Sequence, residues 1–84
     1  MADAAELMPE RILARKYAME IVEAILGNHP DSLDDTFEAL GADSVDFIAI
    51  EIEVEEISGQ EIEAGTFQGT TVGDLAAFIE ERLS

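Results

Sequence analysis

Apolar residues recur along this chain in two ways, at helical spacing toward both ends and in strict alternation through the middle. After Pro9, the residues Leu13, Tyr17, Ala18, Ile21, Ala24 and Ile25 fall on one face at a period of about 3.6. Pro9 suits a first helical turn, because its fixed φ is already helical and the N–H it lacks would find no partner there. Gly27, followed by Asn28, His29 and Pro30, is a stop signal. A first helix of about four to five turns is expected. At the other end, "TTVGDLAAFIEERL" sets Thr71 ahead of a helix with Asp74 three residues on, a carboxylate version of the capping box. Val72, Leu75, Ala76, Ile79 and Leu83 then form its apolar stripe.

The middle stretch, "IAIEIEVEEI" at residues 48–57, alternates as a half-buried strand would. A strand there has no partner, since neither a hairpin turn nor a second strand-like run lies nearby. Wound as a helix at about 100° per residue, residues 44–57 resolve into two apolar arcs instead. Val45, Ile48, Ala49 and Ile52 form one arc; Phe47, Ile50, Val54 and Ile57 form the other. Asp46 and Glu53 occupy one seam between the arcs, and Glu51 and Glu55 the opposite seam. Asp43-Ser44 is a helix start and Gly59 a stop, so the pattern predicts a second helix with one face for the core and a second for something that docks. Its β-branched residues give mediocre helix propensity, so packing must stabilise it.

The connections are less patterned. Residues 28–43, "NHPDSLDDTFEALGAD", read as a long loop between the first two helices, anchored by Leu33, Phe37 and Leu40. Residues 59–70 hold Ile62 and Phe67 with Gly65 and Gly69, room for one short helix or an irregular turn. Residues 1–8 carry no pattern and are expected to fray.

Composition narrows the classes. Eighty-four residues allow one domain, 1–84, with a modest core, and the absence of cysteine removes disulfides and thiolate metal sites. Twenty Asp and Glu against four Lys and Arg give a net charge of -16. The four cations are Arg11, Arg15, Lys16 and Arg82, so residues 17–81 carry none. Such a one-sign field repels nucleic acid and anionic lipid and attracts basic protein surfaces. No segment approaches the roughly 20 apolar residues that span a bilayer. The start, with Asp3, Glu6 and Glu10, has neither a secretory nor a transit pattern, and a soluble cytoplasmic protein is expected.

Candidate chemistry centres on "TFEALGADSVDF". Taken alone, Ser44 reads as a helix cap. Within Leu40-Gly41-Ala42-Asp43-Ser44-Val45, followed by the acidic helix and the terminal "TTVGDLAAFIEERL", the chain resembles an acyl carrier protein from about residue 10 to its end. The resemblance implies an all-α fold, a small four-helix bundle with a short third helix. It implies a 4'-phosphopantetheine arm, drawn from coenzyme A and attached to Ser44 by a phosphopantetheinyl transferase, with Asp43 contacting that enzyme's metal or basic surface. Acyl groups held on the arm as thioesters would be presented to loading and processing enzymes of fatty-acid, lipid or polyketide biosynthesis. Val45, Ile48 and Ile52 would be the exposed apolar contacts those partners use, and Asp43, Asp46, Glu55 and Glu56 would meet the Arg and Lys residues of their basic docking patches. The protein itself would be a non-catalytic monomer with no catalytic or metal-binding residues. Phe37, Leu40, Ile62 and Val72 would line the core and an acyl pocket. Departures from the family pattern bear on the cargo: Val45 replaces the usual Leu, Glu51 stands where an apolar residue is common, and Ile57-Ser58 where a Phe is frequent. The third-helix region is also about one residue short. Independently of the resemblance, a helix N-terminus at Ser44 would favour an attached phosphate, because its free N–H groups and dipole attract anions.

Other features read more simply. His29, beside Pro30, is expected in solvent. Asp31, Asp34 and Asp35 lack the EF-hand spacing and its bidentate Glu, and read as a solvated loop. The competing class is an acidic inhibitor or nucleic-acid mimic, which accounts for the charge but not for the Asp-Ser-Val context. No set of nucleophile, base and orienting residue supports an enzyme.

Overall fold

A computed structural model describes residues 9–83, and three helices account for most of them: α1 (Glu10–Leu26), α2 (Ser44–Ser58) and α3 (Val72–Leu83). The expectation for residues 1–8 lies outside the described residues. Pro9 stands one place before the position anticipated: it is the N-cap, with φ -55 but ψ 141, and its carbonyl accepts from the N–H groups of Ile12 and Leu13 at 3.0 Å each. The alternating stretch is helical. Gly59, at φ 71, ends α2 in the left-handed region, and its N–H donates to the Glu55 carbonyl at 2.9 Å. Among the described residues there is no strand, only an isolated bridge between Thr36 and Thr71.

The core joins Ala14, Ala18, Ile21 and Val22 of α1 to Val72, Leu75, Ala76 and Ile79 of α3, the more extensive helix pair. From α2 come Ile50 and Val54, and from the connections Phe37 and Phe67. The α3 stripe matches the pattern. On α1 the buried line is displaced, with Ala14 and Val22 inside and Ala24 exposed. Packing explains why a β-branched helix holds at α2. The propensity penalty is at most about 0.7 kcal/mol per residue. Fully burying Ile50 or Val54 contributes roughly 1.5–3 kcal/mol.

Residues 27–43 form turns laid against the start of α3. Phe37, buried, donates its N–H to the Thr70 carbonyl at 2.9 Å, while Val72 and Gly73 donate to the carbonyls of Asp35 and Leu33 at 3.0 and 2.8 Å. Asp35 tightens the turn before it by accepting from the N–H groups of Asp31 and Ser32 at 2.7 and 3.3 Å.

The short third helix of the expected four-helix bundle is not among the helices described: residues 59–70 run as an irregular segment. Three of its backbone N–H groups find carboxylate acceptors on α2. Ile62 donates to Oε1 of Glu55 at 2.8 Å, and Gly65 and Phe67 donate to the two oxygens of Glu51 at 3.0 and 2.9 Å. In a helix such donors would bond to carbonyls one turn back. Gly69 is fixed by space, since a Cβ there would fall 2.5 Å from Cβ of Asp74 and 2.7 Å from the Phe67 ring.

Candidate functional site

The start of α2 and the start of α3 use one capping device in two spellings. At α3, Thr71 accepts the Asp74 N–H through Oγ1 at 3.1 Å, while the Asp74 carboxylate accepts the N–H groups of Thr71 and Thr70 at 3.1 and 2.9 Å. Those backbone donors, chiefly Thr70 and then Thr71, hold the Asp74 carboxyl below its ordinary value of 3.8. At α2 the cap is Asp43, in extended geometry, with Oδ1 accepting the Asp46 N–H at 2.9 Å. Asp46 returns the bond, accepting the Asp43 N–H at 3.0 Å.

The two starts differ in what is left over. The first N–H groups of α3 are taken up by the Leu33 and Asp35 carbonyls. At α2 the N–H groups of Ser44 and Val45 meet no acceptor among the described residues. Capping falls to Asp43, so the Ser44 hydroxyl has no structural duty; it is exposed and makes no hydrogen bond there. An exposed primary hydroxyl beside two free N–H groups at the positive end of a helix is a fitting place for an esterified phosphate.

Beyond Ser44, α2 separates as its two arcs anticipate. Val45, Ile48 and Ile52 are 69%, 45% and 51% exposed, and Glu56 stands exposed beside them. The remaining acidic candidates are partly engaged: Asp46 in the cap, Glu55 on Ile62. Asp43 is exposed one residue before the hydroxyl. Near the same end, a cleft of about 280 Å³ is lined by Thr36, Phe37, Glu38, Ala42, Phe47 and Thr70, together with Gly69. Phe37 and Phe47 meet edge to face at 5.2 Å, and Phe37 and Phe67 at 5.8 Å. The cations stay away from α2: three lie on α1, and Arg82, at the end of α3, stacks on the Phe78 ring at 3.9 Å. His29 is exposed, as anticipated, and lies 3.1 Å from Oε2 of Glu23.

Two roles escaped the pattern. The Asp43–Asp46 capping box has the spacing of Thr71–Asp74 and was legible on that ground. Glu51, 3% exposed, reads by pattern as part of an acidic rail; the signals for its burial are its place on the edge of the core-facing arc and the apolar residue common there in the family it resembles.

A family model described as the phosphopantetheine attachment site matches residues 16–79. No curated protein and no solved structure matches the chain.

Proposed function

Because the chain belongs to the phosphopantetheine attachment-site family, whose members carry covalently bound 4'-phosphopantetheine, we propose that Ser44 receives the arm and that the protein carries acyl thioesters between enzymes. The observation that carries this reading is the unemployed Ser44 hydroxyl, left free by the Asp43 cap beside two unpaired N–H groups. In the transfer, Oγ of Ser44 forms a new bond to the β-phosphorus of coenzyme A. The bond to adenosine 3',5'-bisphosphate breaks, and the hydroxyl proton passes to a base of the transferase. The chain supplies no base of its own. Asp43 offers its outward charge to the transferase, and the Ser44 and Val45 N–H groups steady the phosphodiester once it is formed. The arm supplies the thiol that this cysteine-free chain lacks.

Val45, Ile48 and Ile52 form the apolar centre of the docking surface, with Asp43 and Glu56 as its charged rim. Asp46 and Glu55 add charge at its margins while serving the cap and the segment 59–70. Partners are loading and processing enzymes of fatty-acid, lipid or polyketide synthesis with basic patches, met by a cytoplasmic monomer. Incubation with coenzyme A and a broad-specificity transferase, read by intact mass, tests this. The wild type gains one phosphopantetheine and Ser44→Ala gains none; an unchanged wild-type mass, under conditions that modify a known carrier, defeats the reading.

A further inference from the structure

Glu51 is a buried carboxylate that carriage of a thioester does not require. It sits on the inner edge of α2, 3% exposed, and its oxygens hold the N–H groups of Gly65 and Phe67. One turn on, Glu55 holds that of Ile62. Within 59–70, among the described residues, the backbone's own bond is that from Thr66 N–H to the Glu63 carbonyl at 3.1 Å. The middle of the segment therefore depends on α2 for its place along this seam, while its ends are tied elsewhere: Gln60 Nε2 donates to the Arg82 carbonyl, the Thr70 N–H to Asp74, and the Phe37 N–H to the Thr70 carbonyl.

An aliphatic group tethered at Ser44 and seeking the core along this seam would meet Phe67, Ile50 and Val54 behind it. To enter, the methylenes must displace the Gly65 and Phe67 N–H groups from Glu51 or press hydrocarbon against its carboxylate. The first leaves the buried Glu51 carboxylate without its donors, and the second sets apolar surface against a polar group; both are unfavourable. We propose that Glu51 selects the cargo: it bars long aliphatic chains from the core, so that the protein holds its acyl group in solvent and suits short or polar acyl groups. This inference rests on the carrier reading and deepens it.

The test loads the full chain with butyryl, octanoyl or dodecanoyl phosphopantetheine from the corresponding acyl-coenzyme A. Intact mass is read first, and failure to gain any arm there defeats the carrier reading rather than the role of Glu51. In the wild type, the methyl NMR signals of Ile50 and Val54 and the melting temperature do not change with chain length. In Glu51→Leu the dodecanoyl form shifts those methyls and melts higher than the butyryl form. Should that variant fail to fold, Glu51→Gln, which keeps one of the two acceptors, is expected to speed exchange of the Gly65 and Phe67 amides about tenfold and to admit the dodecanoyl chain. Contacts from dodecanoyl methylenes to the core of the wild type would overturn the proposal. So would continued exclusion by a folded Glu51→Leu or, in its place, Glu51→Gln.

Discussion

The starts of α2 and α3 are built alike and spent differently. Both close a reciprocal box across three residues, Asp43 with Asp46 and Thr71 with Asp74. In α3 the hydroxyl residue is the cap itself, and neighbouring carbonyls take the next two N–H groups, so every donor of the first turn serves the fold. In α2 a carboxylate caps and the hydroxyl stands one place further in, with the N–H groups of Ser44 and Val45 facing outward. Moving the hydroxyl by one position frees it from the hydrogen bonds of the fold, as the proposed attachment at Ser44 requires. Hydrogen-bond supply, rather than hydropathy, separates a helix end that holds the fold from one that can be modified.

The largest break in this symmetry comes from exchanging the losses. If Ser44 carries the arm as proposed, Ser44→Ala should remove it entirely yet change unfolding free energy by no more than about 0.5 kcal/mol, since the hydroxyl makes no hydrogen bond. Thr71→Ala does the reverse: modification proceeds at the wild-type rate, while stability falls by about 1 kcal/mol through loss of the cap. Urea unfolding and intact mass on both variants decide it. A Ser44→Ala protein as destabilised as Thr71→Ala would mean that Ser44 shares the capping.

How far such contrasts can be read from the chain depends on the range of the bonds involved. The helical nature of 44–58 follows from nearby signals, the lack of a partner strand, the Asp43-Ser44 start and the Gly59 stop, and its side-chain angles then divide the apolar residues into two arcs, with Ile52, 51% exposed, on the one that the core does not claim. The free hydroxyl is a local matter too, settled by Asp43 and Asp46. Residues 59–70 are different. Their N–H groups bond to Glu55 and Glu51 across 7, 14 and 16 positions, and no rule built on neighbouring residues reaches so far. The line of α1 was misjudged for a related reason: Ala14 and Ala24 are the same residue, and only the approach of α3 decides which is covered.

A subtler variant sharpens the comparison by parting charge from capping. Asn caps a helix about as well as Asp, so Asp43→Asn should alter stability by no more than about 0.5 kcal/mol. Transfer of the arm should nevertheless slow by about tenfold, the size of one contact worth roughly 1.4 kcal/mol. Initial rates of modification against coenzyme A, beside a urea titration, separate the two effects. An unaltered rate would confine Asp43 to its structural part.

Acid distinguishes the two ends most gently. Because the backbone N–H groups of Thr70 and Thr71 hold the Asp74 carboxyl below 3.8 in the folded protein, unfolding returns it to that value and raises its affinity for protons. Its contribution to stability is therefore fully present above pH 3.8 and is lost as pH falls through the lower folded value. Asp74→Asn removes the titration while keeping an amide oxygen for the same donors. The wild type should hold a constant advantage over this variant from neutral pH down to the ordinary carboxylate range and lose it below, as seen by paired thermal melts at closely spaced pH. The Thr70 and Thr71 amide signals should shift over the same low-pH interval, since the carboxylate they donate to is the titrating group. If the advantage instead grew as pH fell, the carboxylate would be a burden on α3, and the likeness between its start and that of α2 would end at the spacing of the residues.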